Sequence, residues 1–359
     1  MSLEAFGWSE RLGGAFAAHA AAGRQPARVV VEERGVVRVA TAGGETVATL
    51  AGRLRHEAEL DPDVLLPAAG DWVALAGDPA DGPVVHAVLP RFSAIVRRAP
   101  GGSSRPTQVL AANVDVAFLV TSLNRDFNLR RLERYLAVAW ESGATPVVVL
   151  SKADLEPDVG GMRLAAEAVA PSVEVIAVSA VTGEGVEAVR RHVGPGRTVV
   201  FLGSSGVGKS SLVNALAGES LLATASIRED DARGRHTTTR RQLVRLGDGV
   251  VIDTPGLREL GLADSDGLSE TFEDVDGVAR GCRFGDCAHA GEPGCAVREA
   301  LLDGRLSSER FASFQKLERE AHRAELAENP VLRKAERRRW SAMIKGVERE
   351  MHAKYGTER

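Results

Sequence analysis

The stretch VVFLGSSGVGKSSLVNAL, residues 199–216, governs how the rest of the chain is read. From Gly203 to Ser210 it fits the pattern G-x-x-x-x-G-K-[ST], with an apolar strand before it and a helix-forming run after it. That is the setting a phosphate-binding loop needs. Its backbone N–H groups, through Gly203, Ser204, Ser205, Gly206, Val207, Gly208, Lys209, Ser210 and Ser211, are expected to turn toward one centre and cradle phosphate oxygens. The helix N-terminus adds a fractional positive charge. Lys209 is expected to reach the β- and γ-phosphates, and Ser210 to offer its hydroxyl to Mg2+. A plain Gly-rich turn is the competing reading, and the full spacing with both flanks argues against it.

Downstream, VVIDTPG (250–256) is a second strand ending in Asp-x-x-Gly. Asp253 is placed to hold Mg2+ through water, and the Gly256 N–H to sense the γ-phosphate. Between the two lies REDDARGRHTTTRRQ (228–242), polar and Gly-containing as a switch segment should be. Thr238 or Thr239 would complete the Mg2+ shell; spacing does not choose between them. The glutamine that often orients the attacking water after Asp-x-x-Gly is replaced by Leu257. Intrinsic hydrolysis should then be slow, with His236 the nearest titratable group for positioning water. A surface loop histidine is the alternative.

Upstream, TPVVVLSKADLEP (145–157) is a buried-type strand followed by a loop. Asp154 can accept two hydrogen bonds from the N1–H and amine of guanine, a pair that adenine cannot donate. Lys152 would lay its stem along the base. Ser151 stands where Asn is usual and has less reach. One helix–strand unit later, AVSA (177–180) places Ser179 and the Ala180 N–H against the guanine carbonyl. The base-reading loop therefore precedes the phosphate loop, the reverse of the ordinary order. If these loops share one rim of a parallel sheet, the site survives when the chain is cut elsewhere and the old ends are joined.

Strands alternating with helices over 109–264 imply a parallel sheet covered on both faces. Residues 28–98 carry short Val-rich runs at close intervals, the pattern of a small all-β barrel, after an N-terminal extension, 1–27. Residues 99–108 have linker composition. Trp72 in the barrel is read two ways, as a base-stacking platform or as core. From 265 to 359 the chain is acidic, then Cys- and Gly-rich, then helical and charged. All three cysteines lie in Cys282-x4-Cys287-x-His289-x5-Cys295, a closed shell of the structural zinc type, against the alternative of buried free thiols. Arg333, Lys334, Arg337, Arg338, Arg339 and Lys345 fall on an expected helix, read as an RNA grip or as a solvated charged face.

The chain has 359 residues, enough for two or three domains, and a net charge of −4, so nucleic-acid binding requires a local patch. No apolar run reaches the length of a membrane span, and the N-terminus lacks a basic leader, so a cytoplasmic protein with no membrane partner is expected.

The order SKAD, VSA, GSSGVGKS, HTTT, DTPG, with a barrel before it and a Cys/His tail after it, resembles the RsgA/YjeQ family of circularly permuted GTPases. The resemblance implies a multidomain fold: an N-terminal OB-fold β-barrel, a central permuted P-loop α/β GTPase domain and a C-terminal zinc-binding, mainly helical domain. It implies GTP/GDP, Mg2+ and one structural Zn2+ on the four residues named. It further implies GTP hydrolysis stimulated by the small ribosomal subunit and its rRNA late in subunit maturation, by a monomer. Because DTPG leads straight into the C-terminal domain, loss of the γ-phosphate is expected to move that domain. Two other functions fit the same residues: a P-loop ATPase, since Ser151 weakens the guanine signature, and an RNA-binding scaffold that holds nucleotide with little catalysis.

Overall fold

A computed structural model describes residues 2–33, 35–61, 64–77, 82–98, 107–124, 127–222, 241–253, 266–329, 331–338, 341 and 344. After helix α1 (Glu10–Ala21), strands β1 (Gln25–Glu33), β2 (Val36–Thr41) and β3 (Gly44–Leu50) form an antiparallel meander. Helix α2 (Gly52–Leu60) follows, then β4 (Trp72–Ala76) and β5 (Val84–Val88). The strand order β1-β2-β3-β5-β4 closes on itself through pairing of β4 with β1. The expected OB-type barrel is thus present. Its interior is small and aliphatic, with Ala27, Val29, Val37, Val39, Ala48, Val73, Leu75 and Val85, and Leu54 of α2 packs into it.

Two elements were not read from the sequence: α1 in the N-terminal extension and α2 inside the barrel region. Strand β6 (Ala94–Arg98) pairs with β7 (Thr107–Ala112) across the linker stretch, and not with the barrel. Trp72 is core: it is 1% exposed and meets Trp8 edge-on at 4.9 Å between ring centroids. Burial of both ring faces removes the base-stacking reading.

Strands β8 (Val116–Ser122), β9 (Thr145–Ser151), β10 (Val175–Val178), β11 (Thr198–Leu202) and β13 (Gly249–Asp253) are parallel, in the order β10-β9-β8-β11-β13. Strand β12 (Gln242–Leu246) adds antiparallel to β13. These strands read as continuous Val-rich runs because both faces are buried. On one face Ala117, Leu119, Val148 and Val200 meet α3 (Leu129–Glu141) and α4 (Val159–Val169) through Leu132, Leu136, Ala166 and Val169. On the other, Phe118, Val120, Val149 and Phe201 meet α5 (Val186–Arg190) and α6 (Lys209–Ala217) through Val189, Leu212 and Leu216. The period of two along each strand divides the residues between the two cores.

Among the described residues, the pairing of Val31 with Gln242 joins the barrel to the sheet edge. Beside it Arg28, 1% exposed, donates to the carbonyls of Gly70 (3.1 Å), Asn113 (3.2 Å) and Phe6, so one side chain ties extension, barrel and sheet. Burial drives its pKa down to about 10, against the pull of Asp115 and Asp71. Gly70, at φ +92°, presses so close that a Cβ there would meet the Ala112 carbonyl oxygen at 2.2 Å.

The C-terminal part is helical: α7 (Asp266–Thr271), α8 (Glu273–Ala279), α9 (Ala296–Leu302), α10 (Ser308–Glu328) and a helical run over 331–338. Helix α7 lies directly on α3, where a Cβ on Gly267 would meet the Ala137 carbonyl oxygen at 1.9 Å. Among the described residues, no helix is long and apolar enough to cross a membrane.

Candidate nucleotide site and metal centre

Parallel register brings the loop-bearing strand ends to one rim. Ser122 pairs with Ser151, Ser151 with Val178, Leu202 with Leu119, and Val200 with Ile252 just before Asp253. The strand ends that lead into SKAD, VSA and GSSGVGKS, together with Asp253, therefore lie side by side at that rim.

The phosphate loop leaves β11 at Gly203, where a Cβ would meet the Val120 carbonyl oxygen at 2.4 Å. It turns through Gly206 (φ +83°) and enters α6 from Gly208 (φ +96°), two positions where an L side chain would be strained. The first intrahelical bond of α6 is donated by the Leu212 N–H to the Gly208 carbonyl. Helix geometry then leaves the N–H groups of Lys209, Ser210 and Ser211 directed at the cradle. Lys209 Nζ lies across that cradle, donating to the Gly203 and Ser204 carbonyls at 2.7 and 2.8 Å. Ser205 and Gly206 are exposed at the loop tip, and Val207 anchors it in the core at 1% exposure.

The SKAD loop is tied to the GSSGVGKS loop. Ser151, buried at the end of β9, donates from Oγ to the Val207 carbonyl at 2.5 Å, with the Thr121 carbonyl 3.3 Å away. The short hydroxyl thus makes the cross-loop bond for which its reach was in question. Lys152, in the left-handed region at φ 60°, donates from Nζ to the Gly206 carbonyl at 2.8 Å. Asp154 follows, exposed on a one-turn 3-10 helix, Ala153–Leu155. Ser179 is fully buried, and its Oγ accepts from the Val181 and Thr182 N–H groups at 3.2 and 3.1 Å. That local turn sets the Ala180 peptide at the same rim.

Asp253 ends β13 opposite Gln242. Thr238, Thr239, His236, Gly256 and Leu257 lie outside the described residues, as do Arg339 and Lys345. One contact was missed from the sequence. Arg131, in the first turn of α3, donates from Nη1 to Ser204 Oγ at 2.7 Å. It belongs to no motif and is 73 residues away in the chain, so the only signal was a helix starting at the same rim.

The four predicted zinc ligands converge. One ligand atom each from Cys282, Cys287, His289 and Cys295 lies within 4.8 Å of all the others. His289 Nδ1 is 3.6 Å from Cys282 Sγ and 3.5 Å from Cys295 Sγ. Tetrahedral Zn–S and Zn–N bonds of about 2.3 and 2.0 Å put such S···N edges at about 3.5 Å, so the residues fit a zinc ion. The His289 N–H favours a Cys287 thiolate, yet burial and the two neighbouring thiols outweigh it and push Cys287 up to about 11. Cys295 also caps α9, its sulfur accepting from the Arg298 N–H at 3.4 Å.

The sequence profile of the RsgA GTPase family matches residues 88–263. A protein of Opitutus terrae named Small ribosomal subunit biogenesis GTPase RsgA is 48% identical over 358 residues, covering 96% of this chain and 97% of its own. The chain belongs to the RsgA family. A second RsgA protein, from Streptomyces coelicolor, is 46% identical over 90% of this chain and 87% of its own. Among solved structures, YjeQ from Thermotoga maritima superposes with a TM-score of 0.61 at 27% identity, over 83% of this chain and 98% of that one. YloQ, titled a circularly permuted GTPase, gives 0.57 at 22% identity over 83% and 95%, a likeness of fold. The RsgA architecture thus accounts for the barrel, the permuted sheet and the Cys/His-bearing helical end together.

Proposed function

We propose that this RsgA-family chain binds GTP at the rim described above and hydrolyses it on the small ribosomal subunit, late in that subunit's maturation. The observation that carries the reading is the pair of cross-loop bonds from Ser151 and Lys152 to the phosphate loop. They tie the SKAD loop to the GSSGVGKS loop, which supports reading the two as one nucleotide site. Asp154 would read guanine, Ser179 and the Ala180 N–H would close over its carbonyl, and the backbone from Gly203 to Ser211 would hold the phosphates. Lys209 would shift its ammonium from loop carbonyls to phosphate oxygens a short distance away. Ser210, with Thr238 or Thr239, and Asp253 through water would hold Mg2+, which neutralises charge on the phosphates when bound. The Gly256 N–H would sense the γ-phosphate, and His236 would position water in place of the missing glutamine.

With Leu257 after Asp-x-x-Gly, the isolated protein is slow and the subunit completes the site. Cys282, Cys287, His289 and Cys295 would hold one structural zinc. Arg333, Lys334, Arg337 and Arg338, exposed on the helical run 331–338, would face rRNA phosphates. The protein acts as a cytoplasmic monomer. Steady-state GTP turnover with and without purified small subunits tests the reading. Stimulation of tenfold or more is expected by analogy with partner-completed GTPases, and equal rates would reduce the protein to a nucleotide-holding scaffold.

A further inference from the structure

One turn of α3 reaches two separate parts of the protein. Arg131 bonds Ser204 of the phosphate loop at 2.7 Å. Arg134, three residues on and so on the same helix face, pairs with Glu320 of α10. Between them Glu133, fully buried, accepts from Arg310 Nη1 at 2.9 Å and from Ser313 Oγ at 2.5 Å, both on α10. Arg310 is held in turn by both carboxylate oxygens of Asp274 (3.1 and 2.8 Å), by the Thr271 carbonyl (2.6 Å) and over the Phe272 ring (4.3 Å). Burial alone would lower the Arg310 pKa, but the hydrogen bonds to Asp274 and Glu133 outweigh it and raise it. The start of α3 is fixed as well, because Asn128 Oδ1 accepts from the Arg131 N–H at 3.0 Å.

The contact at the other end continues into the site. Ser204, whose hydroxyl takes the Arg131 bond, also offers its carbonyl to Lys209 Nζ at 2.8 Å. Arg131, Ser204 and Lys209 therefore form a chain of three groups that ends on the ammonium aimed at the phosphates. A guanidinium here also adds positive potential beside a loop that must hold a polyanion.

We propose that Arg131 is a positioning residue for GTP hydrolysis: it fixes Ser204 and through it the stance of Lys209, and the anchoring of α3 on α10 sets where Arg131 stands. The inference rests on the nucleotide-site reading above. It supplies a route from the C-terminal helices to the phosphate loop that does not pass through the DTPG exit.

The test uses the full chain, with single-turnover GTP hydrolysis and binding of a fluorescent GDP measured on the same samples. Arg131→Ala should lower the hydrolytic rate by about tenfold or more, the worth of one charge-assisted hydrogen bond, while GDP affinity falls by a smaller factor, since GDP lacks the γ-phosphate. Arg131→Lys should recover part of the rate, since it keeps the charge but loses the fork. Ser204→Ala combined with Arg131→Ala should be no slower than Arg131→Ala alone, because both remove one interaction. Glu320→Gln on α10 should lower the rate in the same direction by a smaller factor. A rate for Arg131→Ala within twofold of wild type overturns the inference, as does full additivity of the double variant. Absence of any GTP turnover by the wild-type chain, even with small subunits, instead overturns the hydrolysis reading of the proposed function and this inference with it.

Discussion

Replacing Glu133 by Ala should loosen α10 from the sheet domain without disturbing the sheet. Glu133 is fully buried, and its carboxylate accepts from Arg310 Nη1, from Ser313 Oγ and from Arg130 Nη1. Removing one partner of a buried ion pair costs about 3–5 kcal/mol, because the other charge is left uncompensated. Here the lower end applies, since Asp274 still holds Arg310 through both oxygens. About 3 kcal/mol corresponds to local opening roughly a hundredfold more frequent. Amide hydrogen exchange in peptides covering 308–328 should accelerate by about that factor, while β9 and β11, buried at the sheet centre, should keep their protection. Glu133→Gln, which keeps shape and one acceptor, should accelerate exchange by roughly tenfold. Exchange over 308–328 within about threefold of wild type in Glu133→Ala would show that the junction does not hold the helix.

Ser151→Ala removes the bond to the Val207 carbonyl and leaves a buried acceptor short of its partner. GDP affinity should fall by about five- to tenfold, with the preference for GTP over ATP retained, as read by fluorescent-nucleotide titration. Asp115, whose carboxylate accepts from the Thr198 N–H at 2.7 Å, has its pKa raised by burial, against the opposing pull of that N–H and of Arg28 and Arg197. A folded pKa above the unfolded one means the folded state binds the proton more tightly. Stability from this group therefore grows as pH falls from above the raised value into the usual carboxylate range. Denaturation midpoints of wild type and Asp115→Asn should accordingly shift in favour of wild type as the pH is lowered, and a constant difference would contradict the assignment. Stripping zinc with a chelator should release one ion per chain and abolish exchange protection over 296–302, the helix that Cys295 caps; protection that survives in metal-free protein would make the four ligands dispensable for folding.

Local spacing made the two loops, the permuted order and the Cys282, Cys287, His289 and Cys295 cluster legible, because each motif encodes its geometry within a few residues. The barrel was legible from its short Val-rich runs. Its inserted helix, Gly52–Leu60, was not: GRLRHEAEL buries only Leu54 and Ala58, too weak a stripe to read as amphipathic. Residues 94–98 share the composition of the barrel strands, yet pair with 107–112, and pairing partners are set by tertiary context. Trp72 allowed two readings until its burial against Trp8 and Arg28 decided for core. Arg28, Arg131 and the Glu133–Arg310 junction were invisible for a common reason. Each joins groups that are distant in the chain, 177 residues apart for the last pair, and no local pattern marks an arginine that will bond so far away.

The claim at the centre is that SKAD and GSSGVGKS, met in reverse order along the chain, build one guanine-nucleotide site. Displacement of fluorescent GDP by GDP, GTP and ATP, on wild type and Asp154→Ala, tests it most directly. GDP and GTP should displace the probe from wild type at least a hundredfold more effectively than ATP, about 3 kcal/mol for a lost pair of hydrogen bonds to a carboxylate. That preference should collapse in Asp154→Ala. Equal displacement by ATP and GTP in wild type, or a preference untouched by Asp154→Ala, would contradict the account.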